Sequence, residues 1–167
     1  MKYKVLWIED GAFVEVSNFA GPVLISKKYD LQVALNASDA VKKIKTTEFD
    51  AVVVDIRIPP GDDPEWETLY IKSRHSKIEA RLGIEILFGL LSPKDSAIKI
   101  ADIPHWVSPK KFGIFTVESE DGLKKELNEL GGILFKQKKT NMSNSALLDL
   151  IEEIIGSSEQ ATKKGGN

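Results

Sequence analysis

Cysteine is absent from all 167 residues, which excludes disulfides, thiolate metal sites and cysteine nucleophiles and fits a reducing compartment. Only two histidines occur, His75 and His105. They are far apart and carry no carboxylates at metal-ligand spacing, so both read as structural or solvated residues. No long uninterrupted apolar run is present, nor a basic-then-apolar N-terminal stretch, which argues against membrane spans and secretion and leaves a cytoplasmic location as the expectation. Charge of one sign is missing too. With 23 Lys+Arg against 25 Asp+Glu the formal net charge is -2, so no broad basic field draws nucleic acid, which is not the expected partner. What is there is ordinary: 42% hydrophobic and 29% charged residues can bury a core in one elaborated domain.

The apolar pattern alternates between short runs and helical stripes. Tyr3 to Ile8 (YKVLWI) reads as a buried strand that stops at the acidic pair Glu9-Asp10. Ala12 to Lys28 carries Phe13, Val16, Phe19, Ala20 and Val23 near helical spacing, with Gly21-Pro22 forcing a kink, a shortening or a restart. Leu31 to Leu35 is a second strand, and Ser38 is a candidate cap for a helix through Lys45. Ala51 to Ile56 (AVVVDI) is a β-branched run of the kind that burial on both faces of a parallel sheet produces, ending in Asp55, Arg57 and Pro59-Pro60-Gly61.

Residues 62–111 read as an insertion. Asp63-Pro64 can start a helix, Leu82, Ile86, Leu87 and Leu90 form one stripe over about 81–91, and Trp66, Tyr70 and Trp106 read as anchors onto the domain. Phe112 to Val117 is a fourth strand, Asp121 to Leu130 a helix stopped by Gly131-Gly132, Ile133 to Lys136 a fifth strand, and Ser145 to Ile155 a closing helix. Residues 1–156 therefore form one domain, and 157–167 read as a polar, disordered tail too short for an effector. Strand and helix alternating five times predict a parallel sheet covered on both faces. Such sheets bind ligands at the carboxyl ends of their strands, near the point where strand order reverses.

Those ends carry Glu9 and Asp10, then Asp55, Thr116 and Lys136. Three converging carboxylates need a compensating cation, and oxygen ligands alone select a hard ion, magnesium above all. A carboxylate beside that ion is a good phosphoryl acceptor when a lysine and a hydroxyl hold the transferred oxygens, which makes Asp55 the candidate nucleophile.

VLWIED at Val5 to Asp10, VVVDIRIP at Val52 to Pro59, FTVE at Phe115 to Glu118 and FK at Phe135-Lys136 together resemble, in order, the four motifs of the response-regulator receiver family. The resemblance covers roughly 3–60, 81–91 and 112–156. It implies a flavodoxin-like, doubly wound five-stranded sheet in the order 2-1-3-4-5. It also implies Mg2+ held by Asp10, Glu9, Asp55 and the Arg57 backbone carbonyl, with Asp55 phosphorylated and Thr116 and Lys136 holding the phosphoryl group. A sensor histidine kinase or phosphotransfer protein would supply that group, and a downstream protein partner would read the switched surface, with homodimerisation left open. The chain departs from the family at Val117, where a small residue is usual, at Gln137 in place of a proline after the lysine, and at Ile133 in place of an aromatic three residues before it. The rival readings are a receiver-like scaffold that binds proteins without phosphorylation, and a magnesium-dependent phosphohydrolase, in which Arg57 stands where a second acid is usual.

Overall fold

The structure, a computed structural model, describes residues 1–14, 16–75 and 80–164, with side chains outside 74–75 and 161–164. The side chain of His75 lies outside the described set; His105 is exposed.

Each of these short apolar runs becomes a strand whose buried backbone is satisfied by the ladder. These are β1 (Tyr3–Ile8), β2 (Tyr29–Ala34), β3 (Ala51–Val54), β4 (Phe112–Thr116) and β5 (Leu134–Gln137). All pairs are parallel, and the strand order is β2-β1-β3-β4-β5, as the resemblance implied. The order reverses between β1 and β3, so a crevice opens beyond Ile8 and Val54, which are partners in the ladder.

Alternation along the strands divides the core. Leu6, Ile8, Val52, Val54, Phe112 and Ile114 face α2 (Ala37–Thr46), α4 (Leu82–Leu91) and α5 (Lys124–Glu129). Val5, Trp7, Val53 and Phe115 face α1 (Ala20–Ile25) and α6 (Ala146–Lys164). Burying a side chain of this size contributes about 1.5–3 kcal/mol, so the two layers hold the sheet from both sides.

The insertion is part of the first layer. Its helix α3 (Pro64–His75) starts where Asp63 Oδ1 accepts from Glu65 N at 3.0 Å. Trp66 and Trp106 are buried, the latter edge-on to Phe49 at 6.0 Å and stacked on Phe112 at 6.4 Å. Every residue of α4 from Leu82 to Leu90 except Glu85 is buried, more than the single stripe expected, because Ile98 and Ile100 of the inserted segment join the same cluster and Ile100 lies against Gly89.

Four local expectations change. The long first helix is replaced by a turn at 11–14, a 3-10 turn at Ser17–Phe19 and the short α1 that restarts around Gly21-Pro22, leaving Phe13 exposed rather than inward. The cap of α2 is Asn36, which accepts from Asp39 N at 2.9 Å, while the Ser38 hydroxyl donates to Pro60 O at 2.7 Å. The closing helix does not stop at Ile155 but runs through Gly156 to Lys164, since one helical glycine costs only about 1 kcal/mol and the extension is tethered by Ser158 to Lys110 O and by Tyr3 to Glu159. Finally, β5 begins at Leu134 rather than Ile133, because Gly131 and Gly132, at φ 79° and 70°, are spent turning out of α5.

Candidate functional site

β1 and β3 end side by side, and the backbone sets their tips: Asp55 N donates to Ile8 O at 2.9 Å and Glu9 N to Ala34 O at 2.9 Å. Asp55 is 7% exposed and Glu9 3%. Asp55 Oδ1 accepts from Ile56 N at 2.8 Å and Glu9 Oε1 from Gly11 N at 3.0 Å, which orients both carboxylates. Asp10 is exposed beside them, and one carboxylate oxygen from each of Glu9, Asp10 and Asp55 lies within 4.8 Å of the others. The three acids read from the sequence therefore meet. Their hard oxygens and net negative charge suit a small divalent cation.

The cation already present is Lys138. Its Nζ donates to Glu9 Oε2 and stands 3.3 Å from Asp55 Oδ2, with a side chain only 7% exposed. Burial first, and then the Asp55 charge, push the Glu9 carboxyl up to about 7, against the opposing pull of Lys138 and the Gly11 N–H.

Lys136, the lysine expected here, goes elsewhere: its Nζ donates to Ala146 O at 3.4 Å. The cause is Phe115. In the ladder Val54 partners Ile114, and Phe115 partners Lys136, so continuing it one step puts the fully buried Phe115 ring between Asp55 and Lys136. Lys138, two residues on and hence on the same face, passes over that ring, 5.4 Å from its centroid, and comes down on the acids. Sequence carried one signal for this, a second lysine at the same parity, and the ladder alone separates the two. The residue three before Lys138 is Phe135, an aromatic.

Thr116 is fully buried, with its Oγ1 accepting from Glu118 N at 3.4 Å rather than meeting the carboxylates. Val117, beside it, is 61% exposed at the rim. Arg57 extends its side chain to Glu118. Behind Asp55, Gly83 N donates to Ile56 O at 3.0 Å, and a Cβ on Gly83 would lie 2.0 Å from Asp55 O, so only glycine lets α4 abut the end of β3. Sequence reasoning gave no site role to Gly83, Lys138 or Glu118.

No family model matches the chain, and no curated protein matches it in sequence. Solved structures do match in fold. The CheY-like response regulator receiver domain protein from Methanospirillum hungatei JF-1 superposes with a TM-score of 0.59 at 18% identity, over 98% of this chain and 99% of that one. The Francisella response regulator 1452 receiver domain gives 0.57 at 18% identity, over 96% and 99%. The Vibrio cholerae chemotaxis protein CheY4 gives 0.57 at 16% identity, over 92% and 99%. Among the described residues, no helix is long and apolar enough to cross a membrane. With strand order, acidic rim and these likenesses together, the fold of this chain is that of response-regulator receiver domains.

Proposed function

We propose that the chain is a phosphorylation-dependent signalling receiver, in which Asp55 accepts a phosphoryl group and the change is read at a protein-interaction surface. The observation that carries this reading is the meeting of Glu9, Asp10, Asp55 and Lys138 at the carboxyl-end rim, where β1 and β3 part.

Asp10 and Asp55 would hold Mg2+, with Glu9 behind them and the Arg57 carbonyl completing the protein ligands. The ion supplies charge neutralisation at the phosphoryl oxygens and a template that aligns them. A carboxylate oxygen of Asp55 attacks the phosphorus of a phosphohistidine on a sensor kinase or phosphotransfer protein; the P–N bond breaks and the imidazole leaves, giving an aspartyl phosphate. Lys138, freed from one carboxylate, pairs with the new anion, and the Thr116 hydroxyl at the end of β4 is the group that would report it to that strand. The chain's chemistry is its own phosphoryl transfer and hydrolysis, as in a signalling module rather than a turnover enzyme.

The test is incubation of the full chain with Mg2+ and acetyl phosphate or beryllofluoride. With acetyl phosphate wild type should gain the mass of one phosphoryl group, and with either reagent it should change its tryptophan emission, since Trp7 lies two residues before Glu9; Asp55→Asn should do neither. An intact fold that stays unmodified at saturating donor would leave the protein-binding scaffold as the reading.

A further inference from the structure

Glu118 lies just past β4, outside the acidic cluster, and its side chain is only 7% exposed between two arginines. Arg57 Nε is 2.8 Å from Glu118 Oε1 and Arg81 Nη2 is 2.9 Å from Oε2. Arg81 also reaches Glu126 Oε1 at 3.3 Å through Nη1. A carboxylate withdrawn from water is tolerated only when it is paired and its lone pairs are filled, and two guanidinium groups on opposite oxygens do both.

The three partners belong to three separate elements. Arg57 is on the loop two residues beyond the acceptor, Glu118 stands two residues beyond Thr116, and Arg81 immediately precedes α4. The first turn of α4 is itself bonded to that loop, through Gly83 N to Ile56 O at 3.0 Å. The loop after β3 is thus gripped by backbone on one side and by a charge clamp on the other.

We propose that Glu118 is a positioning residue for the metal half of the site: by holding Arg57 and Arg81 it fixes the loop that presents the Arg57 carbonyl. The inference rests on the magnesium-assisted reading above and deepens it. Magnesium demands near-ideal octahedral ligands at about 2.0–2.1 Å, so a carbonyl beyond the end of a strand, where no ladder holds it, must be placed by something else. Residues that orient ligands in this way typically cost about 10–100-fold in metal affinity when removed.

The experiment is a calorimetric titration with Mg2+ alone, on the full chain, for wild type, Glu118→Gln, Arg57→Ala and the double variant, with metal-free melting recorded for each. Arg57→Ala keeps the backbone carbonyl and removes a side chain that is 43% exposed, so it carries the test even where the buried glutamate variant folds poorly. Each single variant should bind roughly tenfold more weakly, and the double variant no more weakly than either, because both cut one tether. Unchanged affinity with a lowered melting temperature, or effects that multiply in the double variant, would overturn the clamp while leaving the magnesium site standing. Absence of binding by wild type would remove the site reading and the clamp with it.

Discussion

Strand β3 lies between β1 and β4 with all four residues fully buried, whereas β5 pairs with β4 alone and all four of its residues are half-buried. The two strands serve one site by different means. β3 delivers Asp55 through ladders on both sides, so this carboxylate is placed by backbone. β5 delivers Lys138 from one side only, through Lys138 N donating to Thr116 O at 2.6 Å and the reach of a long stem over Phe115, so the cation is placed by a single ladder and by packing. A central strand is bonded from two sides and an edge strand from one, so the tip of the first is held by more of the backbone.

The sharpest way to break this comparison is to exchange the roles of the two lysines. Lys138→Ala should slow phosphoryl acceptance at Asp55 by about a hundredfold, the scale of losing one preorganised charge partner, while Lys136→Ala stays within about twofold; equal effects in a rapid-quench assay would show that the ladder does not select the cation. A smaller effect compares the strands as packing. Val53→Ala should cost about 2 kcal/mol in urea unfolding and Leu134→Ala, half-buried, about 1 kcal/mol. The smallest concerns the other edge. Burial first, and then Glu152, push the Tyr29 phenol up to about 12. A folded-state value raised above the unfolded value of about 10 stabilises below pH 10, and that contribution is lost as pH climbs through about 12. Tyr29→Phe should therefore lose less stability than wild type between pH 10 and 12 in alkaline unfolding.

How much was readable follows from the same physics. Val52, Val53 and Val54 announce a strand buried on both faces, and Asp55 at its end is conspicuous because a charge terminates an apolar run. Glu9 and Asp10 are legible for that reason after Ile8. The insertion was legible as an excursion with tryptophan anchors, but not as a layer that buries most of α4, since one helix's pattern does not say what covers its outer face. That Lys138 rather than Lys136 lies against the acids was not legible, because the two share a face and no local pattern states which residues of β4 stand between them and Asp55. Gly83 went unnoticed because its constraint is a carbonyl 28 positions earlier in the chain, at Asp55.

By itself the sequence determined the alternation of strand and helix, the parallel sheet and the three acids at its rim, because hydrophobic periodicity and strand termination are local properties. Only the tertiary structure decided which lysine neutralises those acids, that α4 abuts Asp55 through Gly83, and that Glu118 joins Arg57 to Arg81. Each of these depends on residues brought together by sheet register and close packing, and distance in space across a folded sheet is not encoded in spacing along the chain.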